Sequence, residues 1–208
     1  IGFQITAWAQ ARAAAEREGT LLARLHEEAE ENVGYYDFIL GIYNRNNAAR
    51  SEAIERFVAN DLEGADREAL VDAIASSGIL PAAAPPRGVF DEIVSTGQAS
   101  TIGDAALREA LASYWASVEF LQGQIDYFRL VQMRVPDLSE FEFYRAEYDP
   151  QSSRQLRRII DLEAAAQSED FLQYLLHANN RARALSDWWQ ETQDRAREMC
   201  AETSRLTG

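Results

Sequence analysis

The stretch SEDFLQYLLHANNRARALSDWWQETQDRAREMCAETSRL, Ser168 to Leu206, decides the fold class. Within it Phe171, Leu175, Ala178, Ala182, Leu185, Trp189, Thr192, Ala196, Met199, Thr203 and Leu206 follow alternating spacings of four and three. That spacing puts them on one face of a helix and would scatter them over both faces of a strand. Neither glycine nor proline interrupts the run, so it predicts one helix about 58 Å long at 1.5 Å per residue. A helix cannot bury its own apolar stripe, so others must pack against it.

Two further stripes answer that need. Leu107, Leu111, Tyr114, Val118, Leu121, Ile125 and Phe128 form a second seam, with Asp104 placed to accept the free amide hydrogens of its first turn and Pro136 to end it. Leu22, Leu25, Ala29, Tyr36, Ile39, Tyr43, Ala53 and Phe57 form a third, interrupted by Asn32, Asn46 and Arg50 at seam positions. Those polar residues predict a loosened or solvated stretch. Gly34 and Gly41 each cost about 1 kcal/mol relative to alanine inside a helix, which predicts a kink or break between them.

Between the long helices lie short ones. Asp66 precedes a helix that Gly78 would close through a left-handed residue, and Pro81, Pro85 and Pro86 stiffen the connector that follows. Another short helix runs through Phe90 and Ile93 to Gly97. Asp137 and Glu140 have capping-box spacing, and Asp149 with Pro150 reads as the start of a helix carrying Leu156, Ile159 and Ile160. The expected fold is all-α: an elongated antiparallel bundle of three long helices plus several short helices, with residues 9–208 as a single domain.

Composition agrees with a globular chain and narrows its chemistry. Of 208 residues, 47% are hydrophobic and 26% charged, enough apolar material for a core without disulfides. Acidic residues outnumber basic ones 34 to 20, a net charge of −14, and that field repels phosphate backbones, so no nucleic-acid partner is expected. All 20 basic residues are arginine. Without lysine there is no Schiff-base amine and no phosphate-loop lysine, which excludes pyridoxal phosphate enzymes and P-loop NTPases.

Candidate chemical groups are few. The two histidines, His26 and His177, have Ala23 and Tyr174 three residues before them, where a di-iron bundle would carry glutamate. His26 and Glu30 have the i, i+4 spacing of two metal ligands, but they sit in the run Glu27, Glu28, Glu30, Glu31, which reads as a solvated acidic face. Cys200, beside the seam residue Met199, reads as a buried or half-buried structural thiol. Tyr35, Tyr36, Phe38 and Tyr43 form one aromatic cluster, and Phe141, Phe143, Tyr144 and Tyr148 with Arg145 form another; each reads as core before pocket wall. Trp188, off the seam that holds Trp189, either packs under a short helix or marks a contact surface. No catalytic residue, metal ligand or cofactor is expected, and the ligand-binding residues are left open.

The opening IGFQITAW, Ile1 to Trp8, is apolar, closes on tryptophan and is followed by Arg12, Glu16, Arg17 and Glu18. It reads either as the start of an ordinary amphipathic helix or as the last two turns of a membrane-spanning one, because tryptophan favours the bilayer interface and charge resumes at once beyond it. Arg12 and Arg17, taken alone, favour the cytoplasmic side.

Three stretches carry a resemblance: IGFQITAWAQARAAAERE (Ile1 to Glu18), FDEIVSTGQASTIGDAALREALASYW (Phe90 to Trp115) and the leucine-bearing helix from Phe171. Their order resembles a family of uncharacterised bacterial single-pass membrane proteins with an N-terminal transmembrane anchor and a helical extramembrane domain. The matching positions are Gly97, Ile102, Leu107, Arg108, Leu111 and Tyr114 in the middle stretch, and the likeness is weak from Pro136 to Gln167. The resemblance implies that residues 1–8 end a transmembrane helix, that the anchor sits in the inner membrane, and that the domain is periplasmic. It brings no catalytic residues. The expected role is a protein-interaction or ligand-sensing module, with a structural homo-oligomeric assembly element as the alternative and an enzyme last.

Overall fold

The computed structural model describes residues 2–78, 80, 82–132, 137–151 and 156–208. Six helices occupy most of them: α1 (Gly2–Ala59), α2 (Arg67–Ala75), α3 (Gly88–Thr96), α4 (Ala105–Gln132), α5 (Leu162–Ala166) and α6 (Glu169–Thr207). Two 3-10 turns, Gln98–Thr101 and Leu138–Glu140, and a hairpin of β1 (Tyr144–Tyr148) with β2 (Leu156–Ile160) complete the described elements. The chain is all-α apart from this small ribbon.

Capping residues fix the helix starts. Asp66 accepts from Ala69 N–H at 3.1 Å, Asp104 from Leu107 N–H at 2.9 Å, and Asp161 from Ala164 N–H at 3.1 Å. Gly97 closes α3 at φ 70°, a conformation that costs glycine nothing. The end of α2 departs from expectation. Gly78 does not take a positive φ; Ser76 is the C-cap, and the Ser76 and Ser77 hydroxyls donate to the carbonyls of Ala73 (3.0 Å) and Ile74 (2.6 Å).

α1 runs unbroken through Gly34 and Gly41, where a kink was expected. Buried Tyr36 and Leu40 lie between them, and such packing outweighs the propensity cost of two glycines. Towards its other end α1 is helical although Thr6 through Arg17 are all exposed. Alanines at 7, 9, 11, 13, 14 and 15 explain this, since alanine loses no side-chain entropy in a helix. Among the described residues no helix is long and apolar enough to cross a membrane.

The chain forms two compact units. The first takes the residues up to Ile39, Ala83–Leu121 and Trp189–Gly208. Its parts of α1 and α6 run antiparallel: His26 meets Thr203 at 3.0 Å and Asp37 meets Gln193 at 2.6 Å. Its part of α4 runs the same way as α1, with Glu18 bonded to the Gly103 N–H at 3.0 Å and Tyr36 to Tyr114 at 3.3 Å. Leu25, Ala29, Tyr36, Ile93, Leu107, Tyr114, Trp189 and Met199 are buried there.

The second unit takes Leu40–Ala82 and Gln122–Trp188. Ala53, Ile54, Phe57, Leu70, Ile74, Ile160, Leu162, Ala165, Phe171 and Leu175 form its core. Arg183 of α6 donates to Ser51 of α1 at 3.2 Å, and Gln167, just before α6, to Asn60, just after α1, at 2.7 Å, so the two helices again run antiparallel. Trp188 stacks on Phe128 of α4 with ring centroids 5.9 Å apart, so it packs on a long helix and not beneath a short one.

The expected helix after Asp149 and Pro150 is instead strand. Asp149 accepts from the Gln151 N–H at 2.9 Å in a turn, and Leu156–Ile160 pairs with Tyr144–Tyr148, Tyr144 opposite Ile160 and Glu147 opposite Arg157. The described part of this segment, Leu156–Ile160, is too short to stabilise a helix nucleus, and its β-branched pair, Ile159 opposite Arg145 and Ile160 opposite Tyr144, fits a pleated surface better. The capping box at Asp137 and Glu140 is present, on a 3-10 turn of three residues. Pro136, expected to end α4, lies outside the described residues.

Candidate functional site

The groups singled out in the sequence fall into two sets. In the first unit, His26 Nδ1 lies 3.0 Å from Thr203 Oγ1, and its Nε2 lies 3.6 Å from Glu30. Cys200 is half-buried, and burial followed by the negative charge of Glu30 pushes its thiol up from the ordinary value. A nucleophilic cysteine needs the opposite environment, one that favours thiolate. His177 is exposed on α6. Among the described residues no three His, Cys, Asp or Glu side chains are grouped to hold a metal ion.

The aromatic clusters divide unequally. Tyr36 and Tyr114 are fully buried with Trp189 against Tyr36 at 5.7 Å, while Tyr35 packs edge-on to Tyr36 at 5.3 Å. Phe38 points away, 66% exposed. In the second unit Phe141 and Phe143 close on Phe171 at 5.1 and 4.9 Å, whereas Tyr148 is 71% exposed. Tyr36 and Tyr43 are thus core, Phe141, Phe143 and Tyr144 pack partly buried against the core of the second unit, and Phe38 and Tyr148 belong to neither.

Sequence reading misplaced the buried polar groups. Glu28, read as part of a solvated acidic face, is 5% exposed and accepts from the backbone N–H groups of Val89 and Phe90 at 2.6 and 3.1 Å. Asn32, expected to lie in a solvated stretch, is wholly buried, and neither atom of its amide has a hydrogen-bond partner. Arg50 is likewise buried, at 3% exposure, and Asn46 alone of the three polar seam residues is half-buried. Asn32 and Arg50 are therefore sealed and not solvated.

Arg50 is the most unusual of these groups. α1 carries Tyr43, Asn47 and Arg50 on one stripe, at i, i+4 and i+7. The Arg50 Nη1 donates to Asn47 Oδ1 at 3.0 Å, and its Nε–H has no partner. It forms no ion pair with any described residue. Burial first, with the like charge of Arg181 adding, pulls its pKa below the ordinary arginine value, and the phenols of Tyr174 and Tyr43 oppose this. Arg181, half-buried on α6, is lowered by burial too and also lacks an ion pair. Ser77 Oγ lies 3.1 Å from the Tyr174 hydroxyl, and Asn179 is buried with its Oδ1 unpartnered.

A guanidinium remains protonated even when lowered, so the second unit carries buried positive charge that no described carboxylate pairs with. An uncompensated buried charge costs on the order of several kcal/mol. The sequence held a signal for it: the residues three and four away from Arg50 are Asn46, Asn47, Ala53 and Ile54, and those around Arg181 are His177, Ala178, Ala184 and Leu185. Neither arginine has an acidic neighbour on its own helix face.

No protein-family model, curated protein or solved structure matches this chain.

Proposed function

We propose that this chain is the extramembrane part of a tethered helical bundle, built on the three long helices α1, α4 and α6, that senses a ligand or binds a partner without catalysing a reaction. The observation that carries the reading is the set of sealed polar side chains in the helix seams, Asn32 in the first unit and Arg50 in the second. A well-packed apolar residue at either position would give a more stable fold. Stability forgone inside an otherwise consistent core is expected where a site is used.

The tether has its own support. The exposed, alanine-rich start of α1 is suited to a stalk, a helix that holds its shape without a packed neighbour. With the resemblance of Ile1 to Glu18 to the anchored family, this favours attachment to the inner membrane with the bundle on the periplasmic face. The test has two arms. Expression from the natural start, followed by membrane fractionation and protease accessibility of intact spheroplasts, should place the domain in the membrane fraction and outside the cytoplasm. A thermal-shift screen of metabolites should find compounds that raise the melting temperature. Recovery of the full-length protein in the soluble fraction would end the tethered reading, and a flat response across the library would end the sensing one.

A second reading, assembly of copies, has one specific observation behind it: Phe120, Tyr127 and Leu130 of α4 are all more than half exposed. Light scattering decides it, since a monomer at every concentration excludes assembly.

A further inference from the structure

Deepening the sensing reading on which it rests, we propose that Arg50, with Arg181, forms a site in the second unit for an oxyanion, a carboxylate or phosphate group carried by a small ligand. The argument begins with what surrounds the other arginines. Arg24 pairs with Glu92, Arg67 with Glu163, Arg87 with Asp91, Arg197 with Asp37 and Arg205 with Asp104. Carboxylates are abundant in a chain with 34 acidic residues, yet among the described residues none pairs with Arg50, whose side chain is buried. Among the described residues the counter-charge that burial demands is missing.

Geometry narrows what would supply it. Asn47 engages Nη1 and so fixes the plane of the guanidinium, while Nε, on the adjoining edge, has no partner. That edge, Nε–H with its neighbouring Nη2–H, matches the spacing of two oxygens on a carboxylate or phosphate. Tyr43 and Tyr174, the other groups that act on Arg50, bring phenols and not carboxylates. Arg181 brings a second cation close enough to be felt at Arg50, as expected from the Arg183 to Ser51 bond that sets this turn of α6 beside Arg50. Arg181 and Tyr174 are half-buried, so the approach from solvent lies on their side. A cation ligand is excluded by two positive charges, and a neutral one would leave them uncompensated.

The experiment is a titration of the intact chain, followed by thermal shift and isothermal calorimetry. Inorganic phosphate forms one arm and acetate and succinate the other, each against sodium chloride at matched ionic strength. Arg50→Met, Arg50→Gln and Arg181→Met are compared with Arg45→Met, an exposed arginine on the same helix. At least one oxyanion should raise the melting temperature saturably beyond chloride, and the stronger arm names the group. Arg45→Met should respond as the parent does, and both Arg50 variants should bind about tenfold or more weakly. Arg50→Met should also melt higher than the parent without anion, because a buried charge has been removed.

An Arg50→Met protein that responds to phosphate or carboxylate like the parent overturns the site, as does the absence of any response beyond chloride. If neutral compounds from the metabolite screen bind while all oxyanions fail, the site is lost and the sensing reading stands. If an oxyanion binds through Arg50 but hydrogen exchange along α1 and α6 is unchanged, the site stands and sensing is lost.

Discussion

Glu28, on α1, accepts the Val89 backbone N–H at 2.6 Å through one carboxylate oxygen and the Phe90 N–H at 3.1 Å through the other. Val89 and Phe90 occupy the second and third positions of α3, whose own N-cap, Arg87, makes no side-chain cap bond. A residue distant in sequence thus does the work of a local N-cap, and a negative charge at a helix N-terminus is favourable. Glu28→Ala should cost about 1–2 kcal/mol, the upper range for a lost cap. Urea denaturation measures the loss, and hydrogen exchange should show it concentrated in Val89 to Ile93. Uniform exchange along the chain would contradict the assignment.

Asn32 should behave in the opposite way. Both atoms of its amide are buried without a partner, and burying an unsatisfied amide costs about 1–3 kcal/mol on mutational scales. Asn32→Leu, similar in volume, should therefore raise the urea midpoint with the m-value unchanged. A fall in the midpoint would mean that the amide is satisfied by a group that leucine displaces.

The three long seams were legible because burial repeats along them. Leu25, Ala29, Tyr36, Leu107, Leu121, Phe171, Leu185 and Met199 are all buried where their spacing predicts. What each polar residue on or beside a seam does was less legible, because spacing reports the face and not the neighbour. Glu28, three residues after Leu25, was hidden in a run of glutamates that look alike in sequence. The hairpin escaped because Leu156, Ile159 and Ile160 satisfy helical spacing over a stretch too short to distinguish it from strand. Arg50 was visible as a charge on an apolar stripe, but its lack of an anionic partner also depends on α6, which lies beside it and which spacing along α1 does not report.

Tyr36 and Tyr114, with hydroxyls 3.3 Å apart, make stability depend on alkaline pH. Burial raises both phenols well above their ordinary value of 10.0. Above about pH 10 the unfolded chain releases these protons and the folded one does not, so the unfolded state gains the free energy of ionisation. Stability is thus fully present below pH 10 and declines above it, by about 1.4 kcal/mol per pH unit for each tyrosine. Chemical denaturation at pH 9, 10 and 11 should show the fall, and Tyr114→Phe should halve the share of the slope that the pair supplies. A slope unchanged in both Tyr36→Phe and Tyr114→Phe would remove the pair as its cause.

Cys200 should react slowly. Burial and the nearby Glu30 carboxylate both raise its thiol above the ordinary cysteine value, so little thiolate exists at neutral pH. Alkylation by iodoacetamide at pH 7.5 should be slower in the native protein than in urea, and Glu30→Gln should accelerate it by removing the repelling charge. Native and unfolded rates that coincide would show the thiol to be freely exposed.

Phe171 carries the largest single stake in the second unit. Fully buried at the start of α6, it meets Phe57 of α1 at 6.2 Å, Phe141 and Phe143 at 5.1 and 4.9 Å, and Tyr174 at 5.8 Å. It thereby joins the helix to the segment that leads into β1. A two-stranded ribbon is at best marginally stable alone, so the hairpin depends on this anchor and on buried Ile160. Phe171→Ala should cost about 3–5 kcal/mol, as large aromatic truncations in cores do. Before global unfolding, Phe141 to Ile160 should become the first site of cleavage in limited proteolysis. By contrast, Glu147→Gln, which removes an exposed charge opposite Arg157 and its solvent-exposed ion pair with Arg145 at 3.6 Å, should change stability by less than about 0.5 kcal/mol. Equal effects from the two substitutions would mean that strand pairing, and not the aromatic anchor, holds the ribbon in place.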